Sequence, residues 1–163
     1  MNKIIRGKHI QNAYLAGIID GEGSILICRI HNKKSGNIWY RLQVSCGMTS
    51  PEAIELLRSF NPSLKQFVYI KGRKKGYKDV YQWLATGETA KFVLEQLEPY
   101  MRIKKLQAKL GIGFQNWRKC LGNPGKKRKE RIMKKFESYY NRMKVLNGAA
   151  ATTKRRDSLI GDV

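Results

Sequence analysis

Residues 15–23 read Leu15-Ala16-Gly17-Ile18-Ile19-Asp20-Gly21-Glu22-Gly23, and the rest of the chain is best read outward from them. The stretch begins as an apolar helix of small residues and ends on two carboxylates and two glycines. Ala13, Gly17 and Gly21 recur at i, i+4 and i+8, which places them in one small-residue stripe. Leu15, Ile18 and Ile19 lie beside that stripe and can face a core. The expected helix spans 10–20, with Gly21 and Gly23 stopping it. A lone acid near a helix end is ordinarily solvated or capping. Two acids at the C-terminal end of an apolar helix oppose its dipole, however, which points to a partner of positive charge.

That partner matters because acids are scarce. The 163 residues carry 33 Lys+Arg against 12 Asp+Glu, a formal net charge of +21. Such a chain repels itself when folded, so its balance implies a polyanionic partner, with nucleic acid first and a membrane surface second. The basic residues are spread over hairpins and several helices rather than one amphipathic helix, which disfavours the membrane. With 42% apolar residues the chain can build a core. It has no apolar run long enough to span a bilayer, and residues 1–8 show no secretory h-region. Cys28, Cys46 and Cys120 are far apart, lack CxxC spacing and have only His9 and His31 for company, which argues against structural zinc and a disulfide framework. Cys28 and Cys46 are expected to be reduced core or near-core thiols.

Beyond the nonapeptide, residues 24–31 favour a strand and 32–37 a turn. Residues 38–48 alternate: Ile38, Tyr40, Leu42, Val44 and Cys46 on one face, Trp39, Arg41, Gln43 and Ser45 on the other. Ser50 and Pro51 cap and open a second helix. Residues 65–71 and 79–86 form a second hairpin around the basic tip Lys71-Gly72-Arg73-Lys74-Lys75-Gly76-Tyr77-Lys78. A third helix follows over 88–98, ended by Pro99. The order is α-β-β-α-β-β-α, an α+β class. Two further helices are expected over 101–121 and 126–147, the second very basic at its start. Residues 1–147 read as one domain with its core in about 10–110, and 148–163 as a flexible basic tail.

Two hairpins with basic outer faces present side chains at strand spacing, a shape that fits the major groove of B-DNA. Arg41, Gln43, Ser45, Lys71, Arg73, Lys78 and Gln82 are residues of types able to read base edges or hold phosphates. A solvated sheet face is the plain alternative, but it has no need of so much positive charge. The run from Lys126 to Lys135 is either a phosphate-gripping helix or a solvated one, and charge alone does not choose. Cleaving a phosphodiester needs charge neutralised at phosphorus and an activated water, which hard cations on carboxylate and carbonyl oxygens supply.

With these residues assembled, the chain resembles the LAGLIDADG homing endonucleases over about residues 10–110. The nonapeptide matches the naming motif with isoleucine for leucine, glycine for alanine and glutamate for the second aspartate. The element order and Thr86-Gly87-Glu88 ahead of the third helix also fit. The resemblance implies a fold whose antiparallel sheets form saddles over the major groove, with extra C-terminal helices here. It implies cleavage across the minor groove leaving 3′ overhangs. One motif implies a homodimer, its helices packed through Ala13, Gly17 and Gly21, with Asp20 structural at the helix end and interface. Glu22 and the Gly21 carbonyl would be metal ligands, for Mg2+ or Mn2+, with Ca2+ able to occupy the site without supporting cleavage. Lys104 matches the catalytic basic position, ahead of Lys105 and Arg102. Many members position water with a polar residue at the end of the second strand; Gly47-Met48-Thr49-Ser50 departs from that pattern, leaving only Thr49.

The expected activity is therefore a site-specific double-strand DNA endonuclease, intron- or intein-associated, acting in the cytoplasm or an organellar matrix. A non-cleaving binder, whether an RNA maturase or a DNA-binding regulator, is the alternative on the same scaffold. A ribosomal-type RNA-binding protein accounts for the charge but not for the helix ending in Asp20-Gly21-Glu22-Gly23.

Overall fold

In the computed structural model the element order is α1 (Lys3–Glu22), β1 (Gly23–His31), β2 (Ile38–Met48), α2 (Pro51–Ser59), β3 (Gln66–Lys71), β4 (Val80–Thr86), α3 (Gly87–Leu97), a short 3-10 turn (Glu98–Tyr100), α4 (Lys105–Lys119) and α5 (Lys126–Gly148). The structure describes residues 3–34, 36–59, 66–71, 78–121 and 126–148. The four strands form one antiparallel sheet in the order β1-β2-β4-β3.

The alternation along β2 sorts its side chains to two faces. Tyr40, Leu42, Val44 and Cys46 are buried with Ile25, Ile27, Trp83 and Ala85 from the neighbouring strands. Leu15, Ala16 and Ile19 of α1, Val93, Leu94 and Leu97 of α3, and Ala108 and Phe114 of α4 complete the same core. Each large side chain removed from water there contributes about 1.5–3 kcal/mol. Gly111 lets α4 lie close against the sheet, since a Cβ there would stand 2.8 Å from Leu42 Cδ1. The opposite sheet face carries Trp39, Arg41, Gln43 and Ser45, as the alternation predicts.

Residues beyond 110 match no motif, yet they close the core. In α5, Phe136 stacks on Tyr40 with ring centroids 5.4 Å apart and meets the Trp117 ring edge-on at 5.0 Å. The Tyr40 hydroxyl donates to Glu137. At the far end of α5, Asn147 donates to the Ile25 carbonyl at 3.0 Å, and Gln107 of α4 donates to the Leu146 carbonyl at 3.4 Å. These bonds tie α5 along β1, the edge strand.

Several boundaries differ from those expected. Helix α1 starts earlier and runs through Gly21 to Glu22, so Gly23 alone ends it. A Cβ on Gly23 would lie 2.6 Å from the Ile19 carbonyl oxygen, which makes glycine the residue that allows the helix to turn straight into a strand. Helix α4 begins at Lys105 rather than 101, because the amides of residues 102–104 turn to another acceptor. Cys28 is not a core thiol. By strand parity it shares the outer face with Ser24, Leu26 and Ile30, so the β1 half of that face is more apolar than the basic surface expected from sequence. Cys46 is buried, and all three cysteines are free. The capping of α2 is as predicted, with the Ala53 amide donating to Ser50 Oγ at 3.4 Å. Arg73 and residues 149–163 lie outside the described residues. Among the described residues no helix is long and apolar enough to cross a membrane.

Candidate active site

The site assembles where the C-terminal end of α1 meets the N-terminal end of α4. Asp20 is only 8% exposed. Its carboxylate accepts the backbone N–H groups of Arg102 at 2.6 Å, Ile103 at 3.1 Å and Lys104 at 2.9 Å. Those amides belong to the approach to α4, where N–H groups lack intrahelical acceptors and the helix dipole is positive. Lys104 answers in the other direction. Its ammonium donates to the carbonyls of Ile19, at 3.2 Å, and of Asp20. The last carbonyls of α1, the negative end of its dipole, are thereby capped by a cation. The acid that looked misplaced in sequence is thus compensated by a second helix end 82 to 84 residues away.

Glu22 is left exposed as the final residue of α1. Burial first, and then the negative charge of Glu22, push the Cys46 thiol up to about 11, while Lys104 opposes the shift. Both charges therefore act on one buried point beneath the helix end. Of the basic candidates, Lys105 turns instead to Glu98, with 3.7 Å between Nζ and Oε1, and Arg102 is exposed. Lys104 is the cation brought to the acids.

Gly23, paired with Cys46, carries the chain from α1 straight into the sheet, so the exposed Glu22 emerges at this end of the sheet. Arg41 lies with its guanidinium carbon 5.7 Å from the Trp39 ring centroid, and its Nε is buried without a hydrogen-bond partner among the described residues. Gln43 accepts a weak bond from the Cys28 thiol at 3.5 Å. Lys71 ends β3 and Lys78 is exposed just before β4, at the far end of the second hairpin. Gln82 stands near them, two positions along β4 from the Val80–Lys71 pair and beside Gly47.

This architecture matches known structures. The chain superposes on the homing endonuclease I-CvuI, solved on the I-CreI target with Mg present and the DNA uncleaved, with a TM-score of 0.68. The match covers 86% of this chain and 83% of that one at 16% identity.

This is the LAGLIDADG homing-endonuclease fold.

Other proteins with the LAGLIDADG fold match more loosely. The archaeal intron-encoded homing endonuclease I-Vdi141I, complexed with DNA, gives a TM-score of 0.51 at 17% identity, covering 66% of this chain and 67% of that one. The meganuclease I-SmaMI, bound to uncleavable DNA, gives 0.54 at 15% identity, covering 86% of this chain but 45% of that one. No protein-family model matches the sequence, and no curated protein does. At these identities the likeness is one of fold, and the chemistry has to be argued from the side chains.

Two of those arguments concern the motif helix. Ala13, Gly17 and Gly21 are exposed on α1, flanked by Ile10 (65% exposed) and Tyr14 (59% exposed). A Cβ on Gly17 or Gly21 would meet nothing within 4 Å. Among the described residues the stripe is therefore left open at Gly17 and Gly21, while the other face of α1 fills the core. Asp20 points into its own chain rather than out along the stripe. The second argument concerns ligands. Among the described residues no three His, Cys, Asp or Glu side chains gather to hold a metal. One chain offers Glu22 and the carbonyls of the α1 terminus, oxygen donors that suit a hard cation but are too few to enclose it.

Proposed function

We propose that the protein is a site-specific, divalent-metal-dependent DNA endonuclease that acts as a homodimer and cuts both strands across the minor groove, leaving 3′ overhangs. The observation that carries this reading is the exposed Glu22 at the end of α1, near a Lys104 that is held in place by its own bonds to α1. An exposed acid there repels a nucleic-acid backbone unless a cation lies between them. The unpartnered stripe of Ala13, Gly17 and Gly21 supports a second copy, whose own Glu22 would come to the shared axis. The match of this chain to under half of I-SmaMI supports the same view.

In this reading Glu22 and the Gly21 carbonyl would hold Mg2+ or Mn2+, and Ca2+ would occupy the site without supporting cleavage. The bound ion supplies charge neutralisation at the scissile phosphate and lowers the pKa of water. Lys104, fixed against the end of α1, places a positive charge where negative charge grows on the phosphate oxygens. Arg41, Gln43 and Ser45 meet base edges, and Leu26 and Ile30 beside them suit thymine methyl groups. Lys71, at the end of β3, and Lys78, before β4, would hold the phosphate backbone near the Glu22 end of the sheet. An intron-encoded role follows from such long-site cleavage.

The test uses DNA spanning the uninterrupted form of the gene that surrounds this reading frame. Discrete Mg2+-dependent products from the wild type and none from Glu22→Gln support the reading. Equal cleavage by both removes Glu22 from the site. Stimulated intron splicing without any DNA cleavage would favour a maturase instead.

A further inference from the structure

The outer face carries a second polar group at the Glu22 end. The sheet register pairs Gly23 with Cys46 and Gly47 with Gln82. One position beyond the Gly23–Cys46 pair, Gly47 therefore stands beside Glu22, with Gln82 on its other side. Adjacent strands lie about 4.8 Å apart, and directly opposed residues share a face. Gln82 thus lies on the outer face beside Gly47, and the exposed Glu22 ends α1 at the same end of the sheet.

That intervening strand has no side chain at this point. A Cβ on Gly47 would lie 2.7 Å from Gln82 Oε1 and 3.3 Å from its Cδ, so the amide occupies the space above Gly47. Val80 Cγ1 stands 3.4 Å from the same point and backs the amide from one side. Gln82 is half-buried, and its carboxamide reaches across β2 toward the exposed acid.

We infer that Gln82 orients the attacking water in the cleavage reaction, rather than reading a base. This rests on the endonuclease reading above. Hydrolysis joins a water oxygen to phosphorus, releases the water's proton to solvent, and breaks one P–O ester bond whose leaving oxygen takes up a proton. The water must be lined up opposite the leaving oxygen. A carboxamide suits that task, because its oxygen accepts from the water while its NH2 group donates to a phosphate or to a second water. It does not titrate and takes no proton itself. Glu22 would supply the anionic metal ligand and Gln82 the neutral group that holds the water, with Gly47 leaving room for the amide.

The experiment compares Gln82→Ala, Gly47→Ala and the double variant Gly47→Gln/Gln82→Ala with the wild type. It measures single-turnover kcat, duplex Kd with Ca2+ in place of Mg2+, and Tm. Gln82→Ala is expected to lower kcat by 10- to 100-fold, as an order of magnitude for a misplaced reactant, with Kd and Tm unchanged. Gly47→Ala is expected to lower kcat in the same direction, because the new methyl group displaces only the flexible end of Gln82. The double variant, which restores an amide from β2, is expected to regain part of the rate. The inference is overturned if Gln82→Ala weakens Kd with kcat intact, the pattern of a base contact, or if kcat ignores both single changes. Failure of the wild type to cut any DNA sinks the endonuclease reading together with this one, whereas cleavage indifferent to Gln82 sinks this one alone.

Discussion

Asp20 and Lys104 each bond the other's backbone: the carboxylate takes the amide of Lys104 at 2.9 Å, and the ammonium takes the carbonyl of Asp20. The two side chains do not form a simple ion pair. Each caps the opposite end of a helix dipole, and together they fix α1 to α4 at the point where Glu22 emerges.

Asp20→Asn should destabilise the fold by about 1–3 kcal/mol, the cost of weakening hydrogen bonds to a buried charged acceptor. Urea unfolding measures it. Lys104→Met should cost less stability but abolish most cleavage. Because both side chains tie the same two helix ends together, the double variant should lose less than the sum of the singles, with a coupling of about 0.5–3 kcal/mol. Additive losses would show that the two caps act separately.

Gly17→Leu should leave the monomer's fold intact, since Gly17 is exposed and no described residue lies within 4 Å of a Cβ added there. It should prevent close approach of two α1 helices. Sedimentation velocity is expected to show a dimer for the wild type and a monomer for the variant, and double-strand cleavage should disappear with the dimer. A dimeric variant would place the interface elsewhere.

The Cys46 thiol is raised from 9.0 to about 11, chiefly by burial. A raised value means the folded state keeps its proton after the unfolded chain has lost it. The stabilisation is therefore complete below the unfolded value and is lost as pH climbs toward the folded one. Unfolding free energy should fall by up to about 2–3 kcal/mol across that window on account of this one group. Tyr40, pushed up to about 12 by burial and by Glu137, acts in the same direction at higher pH. Chemical denaturation of wild type and Cys46→Ala at a series of alkaline pH values isolates the thiol, and the variant should show the shallower slope.

Duplex binding should weaken steeply with salt, with a log–log slope of about −0.9 per phosphate contact. Lys78→Ala should reduce that slope by about one contact and weaken all sequences alike, whereas Arg41→Ala should relax preference at one base pair. A flat salt response would argue against a phosphate footprint on the sheet.

Tyr40→Phe removes the hydroxyl that donates to Glu137 and so loosens α5, with an expected loss of about 1 kcal/mol. Limited proteolysis should then cut α5 sooner than in the wild type. Unchanged cleavage of that helix would assign its attachment to the aromatic stack alone.

Much of this molecule was legible in its residues. Periodicity of two along 38–48 separated a core face from an outer face without any knowledge of what covers either. Small residues at every fourth position marked the bare stripe on α1, and Ser50-Pro51 marked the start of α2. Residues 111–148 were not legible in the same way. Their task is to pack against Tyr40 and one another and to bond the backbone of Ile25, and apolar packing leaves no spacing signature beyond that of a helix.

The site divides along the same line. By itself the sequence determined that a helix of small residues ends in two acids within a strongly basic chain, because composition and periodicity are local properties. The motif match names Lys104 ahead of Lys105 and Asp20 as structural, but only the tertiary structure decided that Asp20 takes the amides of residues 102–104, that Lys104 caps the last carbonyls of α1 while Lys105 turns to Glu98, and that Gln82 leans over Gly47. Those choices depend on sheet register and on where two distant helix ends meet, and both are set by the burial of the whole core rather than by any neighbouring residue.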